Sequence, residues 1–345
     1  MKPDQNRTKK SAMKRVTPVV PSDNVGTLLS GMAQTGFQGR KLGESVAIWR
    51  QMLADPDCTI FFGLSGAMIP AGMQQCLIEM VKRHYVDVIV STGANIFHDT
   101  CEHLGVCHYI GHHQTDDHEL YKRGIDRIYD VFAFEEEFRT VDRGIASWSA
   151  SLAPFRGSSR EFISRLGKWL SEEKPGAESL TSVCANEKVP IFIPALADSS
   201  IGIGLLIARR RGLDINIDQI ADADEITSLV EEAKCTGVIY VGGGVPKNFI
   251  QQTQVIGSIH EKDLGGHKYA IQYTTDSPQW GGLSGCTFEE GISWGKESAT
   301  SSQVQAHVDA TIALPLVISA LVASGAKRVR RSRGKKKVVY RQGID

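Results

Sequence analysis

Gly237-Val-Ile-Tyr-Val241 runs without a break into Gly242-Gly243-Gly244. The run is apolar, too short for a helix and stopped by glycine, which reads as a buried strand. Three glycines in a row let the chain turn at once, and let the backbone approach a phosphate with no Cβ in the way. The triplet is not a GxGxxG fingerprint, and no acidic residue stands reliably about 20 positions on. Nucleotide binding and a simple tight turn both fit it. The same pattern recurs outward. Cys58-Thr-Ile-Phe-Phe-Gly63, Val86-Asp-Val-Ile-Val90, Pro190-Ile-Phe-Ile-Pro194 and Tyr269-Ala-Ile-Gln-Tyr273 are further apolar runs ending in small or polar turn residues. Between the first two, Pro70 to Arg83 has the spacing of an amphipathic helix, with Met73, Cys76, Leu77, Met80 and Val81 on one face. Strands alternating with helices predict an α/β fold, a doubly wound and mainly parallel sheet with helices on both faces. In such sheets ligands bind at the carboxyl ends of the strands, where these turn residues gather. Residues 151–180 read as a helical excursion with loops.

The chain of 345 residues shows no internal repeat and no Pro- or Ser-rich linker, so a single domain over 21–325 is expected. Its 41% hydrophobic and 23% charged content are those of a globular protein. There is no run long enough to span a bilayer and no signal-peptide core, which predicts no membrane association. The seven cysteines are scattered with no CxxC, favouring free thiols and a cytoplasmic location. The net charge of zero hides an asymmetry. Residues 1–16 carry six Lys/Arg against Asp4, and residues 327–345 carry nine against Asp345, leaving about −13 on the rest. The basic ends, 1–20 and 326–345, read as mobile arms or as segments that pack on an acidic neighbour. The acidic core suits cationic small molecules and disfavours nucleic acid.

Chemistry concentrates in Glu290-Gly-Ile-Ser-Trp294-Gly-Lys296. A lysine does imine chemistry only when its amine can be neutral, which an enclosed, partly apolar site promotes. Trp294 offers a wall and a π-face for a cationic substrate, and Glu290 a partner for a substrate ammonium. A surface lysine beside a buried tryptophan is the ordinary alternative. Asp198, in Ala197-Asp-Ser-Ser200, follows a strand and suits a ribose hydroxyl, an amine or a helix N-cap. The stretch from His98 to His118 is rich in His and Cys, but its spacing matches no zinc motif, so no metal is expected. His98 stands apart because it closely follows the strand end at Thr92-Gly93.

Taken together, Thr35-Gly-Phe-Gln38, Cys58-Thr-Ile-Phe-Phe-Gly63, Val86-Asp-Val-Ile-Val-Ser-Thr92, Pro194-Ala-Leu-Ala-Asp198, Lys234-Cys-Thr-Gly237, Gly242-Gly-Gly-Val245, Ser293-Trp-Gly-Lys296 and Val308-Asp-Ala310 resemble the deoxyhypusine synthase family over roughly residues 24–322. The resemblance implies a Rossmann-like sheet, tightly bound NAD and a homo-oligomer, a tetramer with active sites at subunit interfaces. It implies that Lys296 captures an aminobutyl group from a polyamine as an imine. Glu290, Trp294, His98, Asn248 and Ser200 would contact the polyamine. Ser65, Thr92, Gly93, Asp198, Gly242, Gly243, Gly244, Thr275, Asp276, Asp309 and Ala310 would line the NAD site. The chain also departs from the family pattern. Phe97 and His98 stand where the family has an acidic pair, and Ile203 where it has an amine-binding Asp. Trp280 and Leu283 replace acidic residues, and Asn248 replaces a His. Fewer carboxylates reshape an amine tunnel. The expectation is therefore a divergent branch, homospermidine synthase-like, passing the aminobutyl group to a small amine such as putrescine. Modification of a lysine on a translation initiation factor, and non-catalytic binding of polyamine or nucleotide, are the alternatives.

Overall fold

A computed structural model describes residues 13–329 except 260, 261 and 263. Most of both basic arms, 1–12 and 330–345, lies outside the described residues. A six-stranded sheet runs in the order β11-β10-β9-β1-β2-β7, formed by β1 (Cys58–Leu64), β2 (Val88–Ser91), β7 (Ile191–Phe192), β9 (Cys235–Val241), β10 (His267–Thr274) and β11 (Glu297–His307). Every pairing in it is parallel. The chain builds β1, β2 and β7 outward on one side, then returns to lay β9, β10 and β11 on the other. The order reverses between β1 and β9, which is where an open α/β sheet forms its ligand crevice.

The period of two in each strand divides the core. Ile60, Phe62, Leu64, Ile89, Ile239, Val241, Ile271 and Tyr273 belong to the larger cluster, under the helices Val25–Met32, Phe37–Ala54, Gln74–Lys82 and Ala310–Ala323. Phe61, Val88, Val90, Val238, Tyr240 and Ala270 point the other way and pack with Ile226, Val230 and Ile250 of the helices Gln219–Glu232 and Gly244–Ile259. Helices therefore cover both faces. Trp49 is fully buried in the larger cluster, and its Nε1 donates to the Tyr85 carbonyl at 3.1 Å. Trp49→Ala is expected to cost about 3–5 kcal/mol, measured by urea unfolding; a loss below about 1 kcal/mol would mean the site collapses around the gap.

Several elements differ from their sequence reading. The run Pro190 to Pro194 keeps only two strand residues, because proline at each end removes a ladder donor. The helix at 70–83 begins with a π turn, Ile69–Met73, broken at Gly72 (φ 84°), and becomes regular at Gln74–Lys82. The excursion at 151–180 holds the helix Ser159–Glu173, but also β6 (Phe155–Gly157), which pairs with β8 (Ile215–Ile217). A small antiparallel sheet, β3 (Tyr109–Ile110), β5 (Val131–Phe134) and β4 (Ile125–Ile128), begins inside the His-rich stretch. The sixth strand of the main sheet, β11, has no counterpart in the reading. It is an edge strand rich in Ser, Thr and Gln, so it lacks the apolar run that marks the others. It begins directly after Lys296.

Candidate active site

All six strand ends contribute expected residues. Ser65 follows β1, Thr92 and Gly93 follow β2, and Asp198 lies beyond β7. Gly242, Gly243 and Gly244 follow β9, Thr275 and Asp276 follow β10, and Asp309 and Ala310 follow β11. At the switch point a cavity of about 430 Å³ is lined by Ser65, Gly242, Thr275, Asp276, Asp309 and Ala310, with Gly66, Ser284 and others. Asp309 caps the helix Ala310–Ala323, its Oδ1 accepting from Thr311 N at 2.7 Å and Thr311 Oγ1 at 2.5 Å. The glycine turn is held on both sides. Gly242 N donates to Tyr273 O at 2.8 Å, and Ser65 Oγ donates to Gly243 O at 2.5 Å. Gly242 adopts φ 69° and Gly244 φ 52°, the left-handed region that favours glycine. Gly243 lies against Ser284, so closely that a Cβ would fall on the Ser284 backbone.

A second cavity, about 330 Å³, is lined by Lys296, Glu290, Trp294 and Asn248, together with Gln252, Val255, Leu283, Cys286 and three glycines. Lys296 Nζ donates to Asn248 Oδ1 at 3.2 Å and lies 5.4 Å from the Trp294 ring centroid, within cation–π range. Trp294 is 66% exposed, so it forms a rim, neither the enclosing wall of the functional reading nor the buried tryptophan of the ordinary one. Glu290 and Glu289 sit in the first turn of the short helix Phe288–Ser293. Among the lining residues Glu290 is the one carboxylate.

The segment 281–286 separates the two cavities and contributes to both. A buried polar network fixes it, one that sequence reasoning missed. Gln272 Nε2 donates to Gly242 O (2.7 Å) and to Ser284 O (2.8 Å). Lys247, fully buried, donates to Gln272 Oε1 (2.9 Å) and Cys286 O (2.6 Å), and Gln305 Nε2 also donates to Gln272 Oε1 (2.9 Å). Burial pushes the Lys247 amine down to about 8. The signal was present as glutamine at inward positions of two strands, where an apolar residue is the norm. Asn95 was missed likewise. It ties Thr92 Oγ1 (2.9 Å) to the turn after β1, accepting from Met68 N at 2.7 Å.

Other expected residues lie apart from the Lys296 cavity within one chain. Gly93 packs on Ser199, which puts the ends of β2 and β7 together. Ser199, not Asp198, is the N-cap residue of the helix Ser200–Arg210; Asp198 is exposed. His98 is buried between Phe97 and Phe138 and bonds His108 at 2.9 Å, which in turn bonds Glu102 at 2.5 Å. Burial, with His108 beside it, pushes His98 down to about 4. Neither His98 nor Ser200 lines the cavity of Lys296. All seven cysteines are free thiols, and no helix among the described residues is long and apolar enough to cross a membrane.

A doubly wound sheet with a glycine-turn cavity at its switch point and a lysine-bearing cavity beside it has the layout of an α/β protein that binds its ligands at the carboxyl ends of its strands. The chain belongs to the deoxyhypusine synthase family, whose model matches residues 27–321. Members are transferases that move an aminobutyl group from spermidine. A Methanosarcina acetivorans protein designated probable deoxyhypusine synthase 2 is 57% identical over 308 residues, covering 88% of this chain and 89% of the relative. A second protein of the same organism, probable deoxyhypusine synthase 1, is 38% identical over 323 residues, covering 92% and 98%. A crystal structure from Entamoeba histolytica bearing the same enzyme name superposes with a TM-score of 0.63 at 18% identity, covering 90% of this chain and 98% of that one, a likeness of fold.

Proposed function

We propose that the protein is an NAD-dependent aminobutyl transferase that works through an imine on Lys296 and delivers the group to a small amine, as a homospermidine synthase does. The observation that carries this reading is the Lys296 cavity, which sets an amine, a π-face and one carboxylate next to the switch-point cavity. The donor carbon beside the amine gives up a hydride, Lys296 attacks the resulting iminium, and the leaving amine departs. The acceptor amine then displaces Lys296, and return of the hydride gives the secondary amine. Bound at the switch point, NAD would supply the hydride acceptor without net consumption. The residues suit it. Asp276 and Asp309 offer acceptors for ribose hydroxyls, and Gly242 presents bare backbone to the cavity between Ser65 and Ser284.

A small acceptor is favoured by what surrounds the cavity. Glu290 is its one carboxylate, while Trp280 and Leu283 are exposed apolar groups on the adjoining segment. Two family proteins in one organism, of which probable deoxyhypusine synthase 2 is much nearer this chain, fit a division of labour. The exposed Leu283 and Trp294 lining the cavity, the exposed Trp280 on the adjoining segment, and the placement of His98 and Ser200 outside it support a site completed by another copy of the chain in a tetramer. The test is to incubate the protein with NAD and spermidine or putrescine, reduce with borohydride and map added mass. An aminobutyl adduct on Lys296 that putrescine releases as homospermidine supports the reading. Release only to an initiation-factor lysine would establish protein modification instead. The absence of both an adduct and NAD binding would overturn the enzyme reading.

Asp309→Ala separates cofactor binding from folding. Loss of the cap is expected to cost about 1 kcal/mol of stability. Loss of a hydroxyl acceptor is expected to weaken NAD affinity about tenfold, read by calorimetry. Unchanged affinity would remove Asp309 from the cofactor site.

A further inference from the structure

The amino ends of the two central strands hold a pair of thiols that neither cavity uses. Cys58 opens β1 and Cys235 opens β9, at the end of the sheet away from the switch-point cavity. The two are direct partners in the parallel ladder, so their side chains stand on the same face. Register neighbours on adjacent strands have Cα atoms about 4.8 Å apart, inside the span of about 4.4–6.8 Å that a disulfide bridges. Gly237, two residues further along β9, leaves room for the Cys58 sulfur. A Cβ there would lie 3.1 Å from Cys58 Sγ and 3.0 Å from Met52 Sδ, so the Cys58 side chain leans across onto β9. None of the other five cysteines lies in a strand.

The surroundings make the two sulfurs unequal. Cys58 is 3% exposed, whereas Cys235 is half-buried and reachable from solvent. The Cys58 thiol donates to the Cys235 sulfur, which pulls Cys235 down and pushes Cys58 up, with burial adding to the rise. Cys235 Sγ also lies 3.6 Å from Asp55 Oδ2, a carboxylate oxygen held by Lys268 Nζ at 2.8 Å and Tyr269 Oη at 3.1 Å. The Lys268 ammonium offsets the Asp55 charge beside Cys235. On the other side Arg328 donates to the Cys58 carbonyl and places a positive charge beside that thiol. We propose that Cys58 and Cys235 form a redox site, a cross-strand dithiol that a peroxide converts to an intramolecular disulfide joining β1 to β9. Cys235 is the attacking sulfur, being the accessible one and the better thiolate. It takes one peroxide oxygen and becomes a sulfenic acid; the O–O bond breaks, and the other oxygen leaves as water with the proton that Cys235 gave up. The Cys58 sulfur then attacks the Cys235 sulfur. The S–S bond forms, the S–O bond breaks, and the hydroxyl leaves as water with the Cys58 proton. The sheet order reverses between β1 and β9, so the bond ties its two halves at the end opposite the cavities. In a reducing compartment such a bond is transient and registers oxidant.

The experiment treats the reduced full chain with hydrogen peroxide, blocks the remaining thiols with iodoacetamide in urea, and maps the unreduced peptides by mass spectrometry. Alkylation of Cys58 and Cys235 is expected to fall together, with a linked peptide that dithiothreitol releases. In Cys58→Ser the reaction is expected to stop at the sulfenic acid of Cys235, raising dimedone capture there about tenfold over the parent. In Cys235→Ser, Cys58 is expected to stay reduced, because its buried sulfur has lost the partner that reacts first. Oxidation of Cys235 without the linked peptide overturns the proposal. So does full alkylation of both thiols after exposed Cys107 has been oxidised. Oxidation of Cys58 at the parent rate in Cys235→Ser overturns it as well, and that variant decides if Cys58→Ser does not fold. None of these measurements uses NAD or polyamine, so their outcome is separate from that of the transferase reading.

Discussion

Lys296→Ala is expected to give a folded protein that binds NAD as the parent does, forms no borohydride-trapped adduct and transfers no aminobutyl group. The expected loss is about 10³-fold or more, because no other side chain of the cavity offers a nucleophilic amine. Asn248 would lose a hydrogen-bond donor, and Trp294 a cation near its ring, but both stand at a partly open surface where water replaces the contact. Stability should therefore change by less than about 1 kcal/mol. Lys247 is the other amine nearby. It is committed to Gln272 and the Cys286 carbonyl and is fully buried, so it cannot stand in for Lys296 without dismantling the segment that divides the two cavities. Adduct mapping and single-turnover rates on the variant measure this directly. Retention of even a tenth of the parent rate would sink the imine mechanism.

The parallel sheet was legible because five of its strands are short apolar runs stopped by Gly, Ser, Thr or Pro, and burial on both faces demands such runs. The sixth strand was not. β11 pairs only with β10, on one side, so Ser302 to His307 meet the strand's demands with backbone pairing more than with apolar side chains, and residues 298–301 bulge out of the ladder. The candidate site divides in the same way. Lys296, Glu290, Trp294 and Asn248 come together in one cavity, as the spacing around Lys296 and the family pattern led one to expect. The support beneath them was invisible in one dimension. Gln272, Gln305 and Lys247 are far apart in sequence and look out of place in apolar segments. Only the register of β9, β10 and β11 shows that they satisfy one another and three backbone carbonyls. His98 is placed differently within one chain. Proximity to a strand end in sequence put it near the ligand, but the helix Gly93–Leu104 turns its ring toward His108 and Phe138.

Gly243→Ala tests whether that support controls the chemistry. Gly243 has an ordinary φ, so the substitution is not a backbone problem; the added methyl falls on the Ser284 backbone and within 3.0 Å of Ser284 Oγ. Backbone cannot swing aside as a flexible side chain does. Segment 281–286 must move, and it is tied by Gln272 to Gly242 and by Lys247 to Cys286, so the strain spreads into both cavities. The expected cost is about 2 kcal/mol or more in stability, as for overpacking of a dense interior. The transfer rate should drop about 10²-fold, the effect of displacing a reacting group by about 1 Å. Gly244→Ala is the control. Nothing lies near its would-be Cβ, and its φ of 52° makes the cost purely conformational, about 1–2 kcal/mol, with no push on Ser284. Urea unfolding and trapping kinetics on the two variants separate the effects. If both lose the same modest stability and keep the parent rate, the segment accommodates the methyl freely and the network does not govern the spacing of the two cavities. If Gly243→Ala alone loses the rate, the distance between the glycine turn and the Lys296 cavity is set by the buried contact with Ser284, and the triplet serves as a spacer as well as a turn.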